Sequence, residues 1–259
     1  MSASVSARQV VRSSSLQQRE RVLRVQLAAA YRIVEYLGWS ELIYGHLTVR
    51  LPRETPTFLI NPYGLAYDEI TASNLVEIDI EGNKVCGSEY PVNRAGFVIH
   101  SAVHMANSIN KCVMHTHTRS GMAIAACARG LAQVHMYSTN FYNDVGYHDF
   151  EGPSLDTDER TRLLASLGNH PALILRNHGL LTVGRTIPEA FIRLYRLERA
   201  CQVQLDAAAA GDLHTIPEPV ARQSHLDTLK FLELEAEPGA LEFEALMRKM
   251  DRLDSSYRD

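Results

Sequence analysis

The chain has 259 residues, 46% of them hydrophobic, so it can bury a large core without disulfides or structural metal ions. Its 26 basic and 30 acidic residues are intermixed and give a net charge of -4, which excludes the basic stripe typical of nucleic-acid-binding proteins. No segment approaches the roughly 20 consecutive apolar residues of a membrane-spanning helix, so we expect neither nucleic acid nor membrane as a partner.

Predicted elements begin after a serine-rich start. Residues 1–15 lack the apolar centre of a secretory signal, and we predict a flexible arm there, with a transit peptide as the alternative. Apolar residues at helical spacing predict a first helix over residues 16–37. The four cysteines are scattered along the chain, which favours a reducing compartment and therefore the cytoplasm.

Strand and helix patterns alternate along the rest of the chain. Alternating or short apolar runs predict strands at 46–51, 57–60, 75–80, 84–86, 111–115, 171–176 and 179–184. Helical spacing predicts helices at 97–106, 119–128, 157–167 and 187–210. Residues 217–258 are charged and helical in pattern. We therefore predict an α/β or α+β domain over residues 16–215 and a helical extension over residues 216–259.

Three histidines stand at the ends of two predicted strands. His115 and His117 leave the same face, because side chains alternate in direction along a strand. His178 directly precedes Gly179, where a turn or a close backbone approach is possible. Three neutral imidazoles suit zinc, manganese, iron or cobalt and leave coordination positions open for a substrate. The sequence therefore predicts one catalytic divalent ion; a coincidental His-x-His pair is the alternative, which the third histidine weakens.

These motifs resemble the class II aldolase/adducin family. The resemblance rests on His115-Thr-His117, Asn177-His178-Gly179 and the helix from Ile187 to Ala200, and it runs from about residue 22 to about residue 205. Segments 61–65, 69–73, 92–102 and 147–152 are closer to the adducin-like branch than to the sugar-phosphate aldolases. The resemblance implies a three-layer α/β/α fold with a mostly antiparallel central sheet. It also implies a cyclic homotetramer with active sites between subunits. From the imidazole ligands we predict zinc as the ion, with iron or manganese as alternatives.

Two departures separate this sequence from the sugar-phosphate aldolases. Those enzymes carry a glutamate four residues before the histidine that matches His100, and this sequence has Gly96 there. The usual proton-abstracting carboxylate is therefore missing from its usual place. The segments that match the aldolase phosphate pocket also differ, and we predict that they bind a carboxylate through His46, Asn61, Tyr63, Gly64 and Arg94.

The predicted pocket combines an aromatic wall at Tyr63 with the planar guanidinium of Arg94, which matches a carboxylate. The alternative is that His46 and Tyr63 only pack, and that Arg94 lies on the surface or in a subunit interface. Such a pocket favours a 2-oxo acid, a hydroxy acid or an aromatic acid over a sugar phosphate.

Tyr137 and His148 are the candidates for proton transfer. Tyr137 lies near the position at which the resemblance implies a tyrosine contributed across a subunit interface, although direct counting reaches Met136. His148 is the other candidate, because histidine is the side chain most often used for acid–base chemistry near neutral pH. Structural roles are the alternative for both. His100 and His104 share one helix face, where they either orient a metal ligand or pack the helix.

The leading functional hypothesis is a metal-dependent carbon–carbon lyase, a decarboxylase or an aldolase, for a small carboxylate substrate. Decarboxylation least needs the missing glutamate, because loss of carbon dioxide makes the carbanion without a base. Two alternatives come from other functional classes. They are a non-haem iron oxygenase on the same fold and a non-catalytic adducin-like binding protein.

Overall fold

A mixed sheet with helices on both faces forms the centre of the fold. The structure is a computed structural model that describes residues 7–85, 87–106, 109–152, 159–235 and 237–259. In these ranges the strands are β1 (His46–Arg50), β2 (Thr57–Ile60), β3 (Val76–Asp79), β4 (Cys112–Thr116), β5 (Gly146–His148), β6 (Ala172–Leu175) and β7 (Gly179–Gly184). The helices are α1 (Ala7–Tyr36), α2 (Arg94–Ala106), α3 (Arg119–Ala125), α4 (Glu159–Leu167), α5 (Ile187–Ala210), α6 (Glu218–Leu234) and α7 (Ala240–Leu253).

The strand order is β3-β2-β1-β4-β7-β6-β5, and every neighbouring pair is antiparallel except β5 and β6. This confirms the prediction of a mainly antiparallel sheet. Alternate residues of β4 pack on opposite faces of the sheet. Met114 packs with α1 and α5, whereas Val113 packs with α2 and α4. Because apolar side chains leave both faces of the central strands, helices must cover both faces, which gives the predicted α/β/α layers.

Helix α5 shows how local sequence sets an element that supports the sheet. The Thr186 hydroxyl accepts the Glu189 backbone N–H at 3.2 Å, and Pro188 occupies the first turn. Both features are favourable at a helix start. The helix ends at the predicted residue, before Gly211, and it packs against β4 and β7. It thereby holds the two central strands that carry the histidine motifs.

Three elements differ from the sequence prediction. Helix α1 begins at Ala7, so residues 7–15, predicted as part of a flexible arm, are helical; residues 1–6 lie outside the described ranges. The predicted strand at 84–86 is reduced to one bridge between Ile78 and Lys84, and Cys86 lies outside the described ranges. Strand β5 was not predicted, because it is three residues long and its partner β6 lies far along the chain.

The predicted C-terminal extension packs onto the core. Helix α7 lies against α5, where the ring centroids of Phe243 and Phe191 are 5.5 Å apart. Tyr257 is fully buried, and its backbone carbonyl accepts the Ala72 N–H at 2.9 Å. The extension therefore contributes to the same hydrophobic core as the sheet.

Among the helices of the described ranges, none combines the length and the apolar character needed to cross a membrane.

Candidate metal centre

The sheet brings His115, His117 and His178 to one point. His115 lies in β4, His117 follows the end of that strand, and His178 lies in the turn between β6 and the neighbouring β7. The Nε2 atom of His117 is 2.8 Å from that of His115 and 3.0 Å from that of His178. One ring nitrogen from each residue lies within 4.8 Å of the others.

The turn that carries His178 depends on its neighbours. Asn177 has a positive φ of 57°, a conformation that asparagine tolerates better than most residues. A Cβ at Gly179 would lie 2.5 Å from the Thr116 carbonyl oxygen. Only glycine allows β7 to approach β4 this closely, so the structure agrees with the close backbone approach that the sequence indicated.

Two histidines are oriented by their Nδ1 atoms. The His115 Nδ1 lies 2.8 Å from the Leu180 carbonyl oxygen, and the His117 Nδ1 lies 2.9 Å from Glu41 Oε2. Both acceptors lack a proton, so each Nδ1 carries the hydrogen and each neutral ring has its lone pair on Nε2. Lone pairs at such short separations repel unless a proton or a cation lies between them. The residues present therefore fit one divalent metal ion.

Burial supports the ligating form of these rings. It lowers the pKa of His115 well below the ordinary value and the pKa of His178 to about 4, and the neighbouring imidazoles add to both shifts. The two rings are therefore neutral at physiological pH. A neutral imidazole can bind a metal ion without first losing a proton.

The predicted substrate-binding residues occupy different positions. His46 is buried in β1, directly opposite His115, with the two rings stacked at 6.4 Å between centroids. Asn61 is buried after β2, and its Oδ1 accepts the Tyr31 hydroxyl of α1 at 2.9 Å. Tyr63 and Gly64 lie in the following loop. The side chain of Arg94 lies outside the described part of the structure, although its backbone begins α2.

Tyr137 and His148 make their described contacts with residues outside the three-histidine cluster, although the charge of His148 contributes to the lowered pKa of His178. The Tyr137 ring packs on His135 at 5.3 Å, next to a groove formed with α6. The His148 Nδ1 lies 3.0 Å from the Ser166 hydroxyl of α4, and its Nε2 is 3.5 Å from Glu159. Catalytic roles for both residues remain predictions.

Two residues beside the cluster were not predicted. Glu41 lies in the turn before β1, and its carboxylate accepts the His117 Nδ1 proton. Phe150 is 55% exposed, and the centroid of its ring lies 6.2 Å from that of His178, with the two rings inclined at 74°. A large apolar side chain exposed beside a metal centre can contact a bound substrate. Glu41 stands in no motif, and Phe150 lies in segment 147–152, where no sequence pattern places it beside His178.

His100 and His104 pack α2 onto the sheet through one hydroxyl. The Thr48 Oγ1 lies 2.8 Å from His100 Nδ1 and 2.8 Å from His104 Nε2, and all three side chains are buried. This agrees with the interpretation that the two histidines pack the helix.

Acidification is expected to destabilise the fold through His104. Burial lowers the pKa of its ring from 6.5 to about 3. Between these values the unfolded chain binds a proton that the folded chain does not, so the free energy of unfolding falls as the pH is lowered from 6.5. We expect this side chain to contribute about 1 kcal/mol per pH unit and His104→Gln to show a shallower pH dependence in urea unfolding. Equal pH dependence in both proteins would contradict the assignment.

Comparisons with known proteins show what the whole chain is similar to. The family model for the Class II Aldolase and Adducin N-terminal domain matches residues 25–205. The structure is similar to an aldolase II superfamily protein from Pseudomonas syringae, with 42% identity, a TM-score of 0.87 and coverage of 93% of this chain and 96% of that one. For L-fuculose 1-phosphate aldolase from Glaciozyma antarctica, the values are 34% identity, a TM-score of 0.82 and 94% coverage of each chain. Alpha-adducin of Mus musculus is 39% identical over 90% of this chain, which spans only 34% of that protein.

Proposed function

Because this chain belongs to the class II aldolase and adducin family, we propose that it is a metal-dependent carbon–carbon lyase that acts on a small carboxylate. The convergence of three imidazoles carries the proposal, because two of them have their Nδ1 protons held by acceptors and present Nε2 lone pairs to a common point. Zinc suits this donor set best, with iron or manganese as alternatives. A bound divalent ion would polarise substrate oxygens and stabilise the negative charge left by carbon–carbon cleavage.

The described neighbours of the cluster favour decarboxylation over aldol cleavage. Position 96 has no carboxylate, and the carboxylate described beside the cluster, Glu41, is engaged with the His117 Nδ1 proton at 2.9 Å. Decarboxylation needs no base to form the carbanion, whereas aldol cleavage must remove a hydroxyl proton. His46 and Arg94 would bind the carboxylate, and Phe150 or Tyr63 would contact its apolar part. Tyr137 and His148 remain candidates for protonating the product.

Aldol cleavage is the second candidate. The 34% identity to L-fuculose 1-phosphate aldolase over nearly the whole chain favours it. An oxygenase would use the same three histidines to hold iron, and it is distinguished by oxygen consumption. A non-catalytic role like that of an adducin is distinguished by the absence of turnover, and the retained metal-ligand set opposes it.

The experiment combines metal analysis with product analysis. Protein purified without oxygen is analysed for bound metal, loaded with zinc, manganese or iron, and incubated with 2-oxo acids, aromatic acids and sugar phosphates. Release of carbon dioxide without oxygen supports the decarboxylase, and aldehyde release from a sugar phosphate supports the aldolase. Oxygen consumption by the iron form, or no turnover with any metal, overturns the lyase. His178→Ala serves as the metal-deficient control.

The pocket is expected to bind carboxylates more tightly than sugar phosphates. A guanidinium at position 94 can form charge-assisted hydrogen bonds to a carboxylate, so Arg94→Ala should weaken carboxylate binding about tenfold. Calorimetric titration of the zinc-loaded protein with pyruvate and with a sugar phosphate measures both affinities. Arg248→Ala, which removes an exposed arginine of α7, is the matched control. Tighter binding of the sugar phosphate would show that the pocket has a different specificity.

A homotetramer with sites completed by neighbouring subunits is also part of the proposal. Helix α6 exposes large apolar side chains, including Val220, Phe231 and Leu234, and exposed apolar surface of this kind is common at subunit interfaces. Light scattering at micromolar concentration should give four times the chain mass of 29.0 kDa. A particle of the single-chain mass would contradict this expectation.

A further inference from the structure

The His46 ring lies between helix α2 and the metal centre. Its strand β1 pairs with β4 so that His46 and His115 are directly opposite, and their rings are nearly parallel at an interplanar angle of 14°. The His46 ring also contacts the His100 ring of α2, with the centroids 5.7 Å apart and an interplanar angle of 80°. The ring thus occupies the space between a metal ligand and the buried face of α2.

Gly96 makes this position possible. A Cβ built on Gly96 would overlap the His46 ring at Cγ, Cδ2 and Nε2. Gly96 lies within α2, where glycine disfavours the helix compared with alanine. No positive φ requires glycine there. The absence of a side chain at position 96 therefore has a local explanation, which is the presence of the imidazole at position 46.

Both nitrogens of the His46 ring lack a hydrogen-bond partner among the described residues, although the residue is only 5% exposed. Buried polar atoms in folded proteins are nearly always hydrogen-bonded, and an unsatisfied one is costly. The neighbouring His100 cannot supply the partner, because its Nδ1 is engaged with Thr48 and its Nε2 is also unpartnered. A molecule that binds at the metal centre can supply the missing partner.

We infer that His46 and Gly96 act as one unit, in which the glycine leaves room for the imidazole and the imidazole presents a ring nitrogen to a substrate oxygen at the metal centre. This inference rests on the proposed function for the class of substrate, a small carboxylate. It makes His46 a specificity-determining residue that contacts substrate, in the space where a side chain at position 96 would stand.

The test is a double-mutant cycle. Four zinc-loaded proteins are compared: the wild type, Gly96→Ala, His46→Ala and the double variant. We expect each single variant to bind pyruvate about tenfold more weakly than the wild type and the double variant to bind no more weakly than the singles. The two losses are not additive because both remove the same ring nitrogen from the site. Zinc affinity should remain within about threefold in all four, because neither residue is a ligand.

Thermal unfolding provides a readout independent of substrate. Gly96→Ala should lower the Tm when His46 is present, because the new Cβ displaces the ring. In the His46→Ala background the same change should leave the Tm unchanged or raise it, because alanine favours a helix. Gly87→Ala is the matched control, since a Cβ there meets no atom within 4 Å. His46→Gln, whose amide can still donate a hydrogen bond, should recover part of the pyruvate affinity if His46→Ala folds poorly.

Several outcomes would overturn the inference: an equal Tm loss from Gly96→Ala in both backgrounds, additive losses of pyruvate affinity, or wild-type pyruvate affinity in His46→Ala. A wild type that binds no pyruvate removes the proposed carboxylate specificity instead. The four proteins are then titrated with inorganic phosphate. Phosphate binding that depends on His46 would support the pairing of His46 with Gly96 in a site for another anion. Phosphate binding that does not depend on His46, or no phosphate binding, would overturn the inference.

Discussion

Replacing any one of His115, His117 and His178 with alanine is expected to abolish stoichiometric zinc binding. Each residue supplies one ring nitrogen to a set of three that, in the described part of the chain, lie within 4.8 Å of one another. With only two imidazoles left, the remaining ligands of the ion would have to be water molecules. Zinc that binds the folded chain stabilises it against unfolding. A variant that cannot bind the ion should therefore also lack the rise in Tm that zinc gives the wild type.

Zinc content after equilibrium dialysis, measured together with Tm, checks this expectation. The matched control is His170→Ala, because His170 is hydrogen-bonded to Asp144 at 3.1 Å and is not part of the cluster. It should retain one zinc per chain. Full stoichiometric binding by a His115→Ala, His117→Ala double variant would show that the ion is held elsewhere.

The three-histidine cluster could be predicted because its signals are local. Alternation along one strand places His115 and His117 on one face, and the glycine after His178 marks a close backbone approach. The bounds of α5 were equally predictable, since a threonine cap, an early proline and a final glycine all act within a few residues. Strand pairing then added what no local pattern contains, namely that His46 is opposite His115.

The parts that escaped prediction depend on contacts between distant segments. Strand β5 is stabilised by its pairing with β6 rather than by its own pattern, and His148 within it is directed to Ser166 of α4. Gly96 is the instructive residue. Compared with the aldolases, it indicated only a missing base, whereas the structure shows that the backbone there is covered by the His46 ring. An absent side chain can therefore reflect a neighbour that needs the space.

Glu41 is expected to strengthen metal binding through His117. Its carboxylate accepts the His117 Nδ1 proton at 2.9 Å, which fixes the ring orientation, keeps the lone pair on Nε2 and makes that nitrogen a better donor to a cation. Loss of such a partner typically weakens metal binding by roughly 10–100-fold. The Glu41 side chain is 44% exposed, so water can replace part of the interaction. We therefore expect a value near the lower limit for Glu41→Ala.

Competition for zinc with a chromophoric chelator measures this effect in Glu41→Ala, Glu41→Gln and the wild type. Glu41→Gln keeps an acceptor oxygen without the charge, so it should lie between the other two proteins. Glu54→Ala, an exposed glutamate in the turn between β1 and β2, is the control for a change of net charge alone. Equal losses of zinc affinity in Glu41→Gln and Glu41→Ala would mean that Glu41 acts on the ion by long-range charge and does not orient its ligand.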